Sequence, residues 1–173
     1  MSAAESHRSA APKRLRIAII RSSTSRYQAM VRGEPYVDDS SAVARRILEE
    51  LGHEVEHLGL VGDEILGIRA KLSQALAEGF DVVAVIGGTG ISKRDVSIEA
   101  VRPLLEKEIE GVGEIFRVES YKRIGFHAAL SRCLAGVISR TIILALPGSP
   151  EAVETALKLI GPELPHMVHV ARI

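Results

Sequence analysis

The chain has 173 residues, 46% of them apolar and 25% charged, the balance of a globular domain with room for one core. Lys plus Arg and Asp plus Glu each number 22, so the formal net charge is zero, which argues against a nucleic-acid binder working by bulk charge. Aromatics are 3% with no Trp, against a base-stacking platform, and a lone cysteine, Cys133, excludes a disulfide framework or a multi-cysteine zinc site.

Residues 1–13 are mostly small and polar with no apolar h-region, so they read as a disordered tail rather than a signal peptide, ahead of a single domain over 14–173. The longest apolar runs fall far short of the roughly 20 residues that span a bilayer. Together with Cys133, read as a small buried hydrophobe, this predicts a cytoplasmic protein with no membrane partner.

Leu15 to Ile20 is a short β-branched run and reads as a buried strand. Residues 21–41 read as a long polar loop, of a length that is usually functional or disordered. Asp39 or Ser40 then caps a helix whose Val43, Ile47, Leu48 and Leu51 share a face and whose stop is Gly52. His53 to Val61 is a second strand. His53 and His57 fall on one face of it with no evident carboxylate partner, and His166 and His169 form no ligand set. Asp63 to Gly79 is a second helix, with Ile65, Ile68, Leu72, Ala75 and Leu76 on one side. Asp81 to Ile86 is a third strand, apolar on both faces as a covered parallel sheet requires.

A helix is expected after Ser92, carrying Val96, Ala100, Val101 and Leu104 and broken or kinked by Pro103. Gly111 to Tyr121 reads as a glycine-rich connection with a weak strand signal, and Gly125 to Ser139 as a helix. Arg140 to Leu146 is a strand. Ser149 as cap and Pro150 at the first helical position start the last helix. Alternation of this kind predicts an open α/β sheet, mostly parallel, with helices on both faces.

Ligands of such sheets bind at the carboxyl ends of strands. Gly87-Gly88-Thr89-Gly90 and Pro147-Gly148-Ser149 both follow strands, and bare glycines let a phosphate approach the backbone. The first loop fits neither G-x-G-x-x-G, which argues against a nicotinamide or flavin domain, nor a Walker A loop. Lys93 and Arg94 are donors suited to phosphate, set where a helix dipole disfavours cations. Ser92-x-x-Asp95 fits a capping box as well as a carboxylate holding Mg²⁺ beside a polyphosphate, and Asp63 reads either as an N-cap or as a second such carboxylate. Asp38-Asp39-Ser40-Ser41 is richer in acceptors than a cap requires.

In order and spacing, GGTGISKRD, GVGEIFR, LSR and LPGSP together resemble the molybdenum cofactor biosynthesis family of MoaB and MogA, over roughly Leu15 to Leu159. The resemblance implies a three-layer α/β/α sandwich and a homotrimer. It also implies transfer of AMP from Mg-ATP to the terminal phosphate of molybdopterin, releasing pyrophosphate, with the product passed to a molybdenum-insertion protein. By the same resemblance Gly87, Gly88, Thr89 and Gly90 cradle phosphate, while Asp63 and Asp95 serve catalysis and Mg²⁺. Asp38, Ser40, Ser131, Arg132, Pro147, Gly148 and Ser149 then contact substrate, and Glu99 and Glu114 have looser roles. The family also contains members that bind without an essential catalytic role. Two departures favour that binding-only reading: Arg21-Ser22-Ser23-Thr24 replaces the family's Ser-Asp-Arg, and Ser41 replaces a glycine.

Overall fold

The computed structural model describes residues 11–173, so residues 1–10 of the expected tail lie outside the described residues. Six strands form one sheet: β1 (Arg16–Ser22), β2 (Glu54–Val61), β3 (Val82–Ile86), β4 (Lys107–Glu108), β5 (Leu134–Ile138) and β6 (Thr141–Leu146). Their order is β2-β1-β3-β6-β5-β4. The first four are parallel, and β5 and β4 add antiparallel at the far edge.

Successive residues of a strand face opposite sides of a sheet, so strands covered on both faces are apolar throughout. Ile17, Ile19, Val82, Ala84, Ile142 and Leu144 face one core, whereas Ala18, Ile20, Val83, Val85, Ile143 and Ala145 face the other. Four helices cover the first core: α2 (Asp39–Glu50), α5 (Glu110–Ile124), α6 (Pro150–Ile160) and α7 (Leu164–Arg172). The second lies under α3 (Ile65–Ala77) and α4 (Ser97–Val101). The expected three-layer sandwich is therefore present, and Cys133 is buried in the first core. Burial pushes its thiol up to about 12, which keeps it protonated and inert near neutral pH.

Four local readings are corrected. The loop over 21–41 contains α1 (Thr24–Val31), which buries none of its own side chains and so carries no apolar period. Gly111 to Tyr121 is not a connection but the body of α5. There Gly113 serves close approach rather than a break, because a Cβ would stand 2.7 Å from the Cys133 carbonyl oxygen. Gly125 to Ser139 is not one helix: residues 125–130 form a 3₁₀ turn and 134–138 are β5. Finally, the helix expected after Ser92 begins only at Ser97, and Pro103 sits in the 3₁₀ turn that ends it.

Candidate functional site

Brought together at the carboxyl ends of β1, β3 and β6 are the Gly87–Gly90 loop, Asp63 and the Pro147–Ser149 turn. β1 is the strand at which the order reverses, with β2 on one side and β3 on the other, the position where open sheets leave a crevice.

The loop begins with two left-handed residues, Gly87 (φ +100°) and Gly88 (φ +62°). At Gly87 a Cβ would lie 2.3 Å from the Ser22 carbonyl oxygen, and at Gly88 it would lie 2.6 Å from Ser97 Oγ and 3.0 Å from Asp63 Oδ1. Glycine is required at both by conformation and by space.

Five consecutive carbonyls of this segment are tied back. Ile86 O accepts from Arg21 Nη1 (2.9 Å), Gly87 O from Ser97 Oγ (2.6 Å) and Gly88 O from the Ser97 N–H (2.8 Å). Thr89 O accepts from Arg132 Nε and Gly90 O from Arg132 Nη2, both at 2.8 Å. In a trans peptide the next N–H points away from the carbonyl. The N–H groups of Gly88, Thr89, Gly90 and Ile91 thus face away from these anchors, and they donate to no described residue. A row of unengaged backbone donors is an anion-binding surface.

Asp63 abuts this loop at Gly88, and Asp95 abuts it at Gly90, where a Cβ would lie 2.9 Å from Oδ2. Neither carboxylate caps its own helix. Asp63 precedes α3, whose N-cap is Glu64 and has no side-chain bond. Its oxygens instead accept from Ser22 Oγ (2.7 Å), the Thr24 N–H (2.8 Å) and Thr24 Oγ1 (2.8 Å), so it anchors the start of α1. Among the described residues Asp95 accepts only from the Ser92 N–H (3.0 Å), half of a capping box inside a loop and not at a helix start. For the same reason Lys93 and Arg94 do not oppose a helix dipole. They are exposed, and they make no ion pair among the described residues.

On the other side of the loop, Arg21 is 3% exposed and donates through Nη2 to the Gly148 carbonyl (3.3 Å), while Nε stands 3.1 Å from Asp38 Oδ1 as a charge pair. Burial lowers the guanidinium's pKa and Asp38 opposes the change. Asp38, not Asp39 or Ser40, caps α2 by accepting from the Ser41 N–H (3.3 Å). Burial would raise the Asp38 pKa, but the neighbouring His57, the bond from Ser41 and the charge of Arg21 hold it at about 2. His57 does have a carboxylate neighbour after all: its Nε2 lies 3.7 Å from Asp38 Oδ2. Ser40 Oγ donates to Gly148 O at 2.7 Å, so Asp38, Ser40, Gly148 and Pro147 form one partly buried side of the crevice.

Arg132 is engaged with the loop and pairs with Glu99 through Nη1 (2.5 Å). Ser131 and Ser149 line a groove of ≈ 290 Å³ between α5 and α6, with Phe116, Arg123 and Thr155. Glu114 is exposed on α5 and makes no hydrogen bond or ion pair with the loop among the described residues. The larger cavity, ≈ 490 Å³ beside Ile142, Met167 and Val170, contains no expected site residue. Sequence reasoning missed Ser97 and gave no role to Arg21, Ser22 or Thr24. The only local signal was their position at the end of β1 and just after a glycine loop.

Among the described residues no three His, Cys, Asp or Glu side chains form a metal cage. Mg²⁺ typically takes one or two carboxylates and completes its shell with water and substrate phosphate, so two carboxylates flanking an anion loop suit it.

A family model described as "Probable molybdopterin binding domain" matches residues 18–166. The molybdenum cofactor biosynthesis protein B of Staphylococcus carnosus is 48% identical over 139 residues, 78% of this chain and 82% of that one. That of Bacillus cereus is 42% identical over 168 residues, 93% of each. The tungsten cofactor synthesizing protein MoaB of Pyrococcus furiosus superposes with a TM-score of 0.84 at 35% identity, over 94% of this chain and all of that one.

Proposed function

This chain belongs to the molybdopterin-binding domain family, and from that premise we propose that it acts in molybdenum cofactor biosynthesis as a molybdopterin adenylyltransferase. The reaction moves AMP from Mg-ATP to the terminal phosphate of molybdopterin. A phosphate oxygen attacks the α-phosphorus, the bond to the β-phosphate oxygen breaks, and pyrophosphate leaves with the electron pair. A phosphate monoester has a second pKa near 6, so the nucleophile is already largely ionised at pH 7 and needs no general base.

The observation that carries this reading is the pair Asp63 and Asp95, set against two glycines of a loop that turns four N–H groups outward. The backbone donors, Lys93 and Arg94 would receive the phosphates. Bound Mg²⁺ would supply charge neutralisation between them and the two carboxylates, Asp95 having Oδ1 free of any bond among the described residues. Asp38, Ser40 and the Pro147–Ser149 turn would shape the pterin side, with Ser131 and Ser149 reaching it across the α5–α6 groove.

The departures from the family pattern leave Asp63 and Asp38 anchored, as turnover would require. Ser22 and Thr24 are the side chains that hold Asp63 in place, and Ser41 still supplies the N–H that caps onto Asp38. The test is to incubate the protein with molybdopterin, ATP and Mg²⁺ and to assay adenylylated pterin and pyrophosphate. Formation of both supports the enzyme; tight pterin binding with no product overturns it in favour of an assembly protein.

A homotrimer and delivery of product to a metal-insertion protein belong to the same proposal. Ile115, Val118, Tyr121 and Ile124 on α5 and Phe126 beyond it are all more than half exposed, an apolar stripe that self-association would cover. Light scattering should give three times the chain mass. No helix among the described residues is long and apolar enough to cross a membrane.

A further inference from the structure

We propose that Arg132 is a positioning residue for the glycine loop and not a phosphate ligand. The role deepens the phosphate-cradle reading above and rests on it. The Arg132 guanidinium is engaged on both sides. Its Nε and Nη2 take Thr89 O and Gly90 O at 2.8 Å each, and Nη2 also lies 3.4 Å from Asp95 O. Nη1 and Nη2 pair with Glu99 at 2.5 and 3.2 Å. Little of its charge is left for an incoming anion. What it does hold is direction: with both carbonyls drawn to one side, the Gly90 and Ile91 N–H groups must point to the other. The planar fork suits this task, because it can grip two successive carbonyls and a carboxylate at fixed angles. A lysine ammonium cannot reproduce that arrangement.

Ser97 does the same for the preceding two peptides. Its side chain and its backbone N–H hold Gly87 O and Gly88 O. Arg132 and Ser97, on different elements, therefore complete one device. Asp95 is coupled to it through its own carbonyl and through Gly90.

The experiment uses inorganic pyrophosphate as the probe, with R132K, R132Q and E99Q, by calorimetry at two salt concentrations and by amide NMR of the ligand-free proteins. Positioning predicts that R132K and R132Q both weaken pyrophosphate about tenfold or more with an unchanged salt slope, whereas E99Q fails to tighten it. The amide chemical shifts of Gly90 and Ile91 should move and their backbone order parameters should fall in both Arg132 variants, with β3 amides unchanged. A direct ligand would behave otherwise: R132K would bind nearly as well, R132Q would flatten the salt slope, and E99Q would bind more tightly because it frees a cation. Either that pattern, or unchanged amides in R132K, overturns the proposal. E99Q and R132K keep it testable if R132Q does not fold. Failure of the unmodified protein to bind pyrophosphate or ATP would count against the adenylyltransferase reading instead, since the amide data stand without ligand.

Discussion

Asp63 and Asp95 flank the same glycine loop, yet they are held in opposite ways. Asp63 receives three donors from the β1–α1 corner, one of them the first N–H of a helix, and it sits beside the buried Arg21–Asp38 pair. Asp95 receives one backbone N–H from an exposed loop that also carries Lys93 and Arg94. One half of the site is thus built into the sheet, and the other is a loop that closes on itself. A preorganised carboxylate costs no rearrangement at the moment of reaction, while a loop can adjust to the substrate's charge.

The largest expected effects test both halves at once. Asp63→Ala and Asp95→Ala should each lower adenylyl transfer by about 10²–10³, the loss typical of a single electrostatic group. Their stabilities should separate. Asp63→Ala strands Ser22 Oγ and the Thr24 donors in a part-buried corner and should cost about 2 kcal/mol, whereas Asp95→Ala should cost about 0.5 kcal/mol. Urea denaturation reads this difference, and equal losses would break the comparison.

Glycine substitutions sharpen it next. Gly87→Ala would force a side chain into φ +100° and against the Ser22 carbonyl at 2.3 Å, for an expected loss of about 3 kcal/mol. Gly90→Ala meets only the Asp95 carboxylate, at 2.9 Å, in a loop that can give, and should cost about 1 kcal/mol or less. Thermal unfolding of the two variants tests the order.

The same contrast explains what could be read from sequence. The strands at the sheet centre, their two-sided apolar character, and the stops at Gly52 and Gly79 (φ +88° and +73°) are local properties and were legible. So were the glycine loop and both aspartates as residues of interest. What they bond to was not. Thr24 and Asp63 are 39 residues apart, and the N-cap Ser23 of α1 makes no side-chain cap bond, so the helix start depends on a distant carboxylate that sequence does not reveal. α5 misled for a related reason: it buries Gly113, Phe116 and Ser120 while turning Ile115, Val118 and Ile124 outward, which blurs its period. Arg132 could be picked out by motif, but only the fold shows that its fork is spent on backbone carbonyls.

The buried half should also be the acid-sensitive one. The Asp38 carboxyl falls from 3.8 to about 2 on folding, so its contribution to stability is complete above pH 4 and lost as pH drops through 2. By linkage that amounts to about 2 kcal/mol. Denaturant titrations of the wild type and Asp38→Asn at pH 5 and pH 2.5 should show the gap between them narrowing at the lower pH. A constant gap would mean that Asp38 is not held ionised by the fold.

The smallest effect belongs to the exposed half. Lys93 and Arg94 have no ion pair to lose among the described residues, so Lys93→Ala and Arg94→Ala should leave the melting temperature within about 1 °C. An exposed charge acting on a ligand phosphate is worth about 0.2–1 kcal/mol, which corresponds to an increase in KM for ATP of up to about fivefold. Because both side chains sit in water, that increase should shrink as salt rises from 50 to about 500 mM, where the screening length drops well below 10 Å. A loss in kcat instead, insensitive to salt, would place one of them on the reacting phosphate itself. In that case the loop half would be as preformed in the working enzyme as the half that holds Asp63.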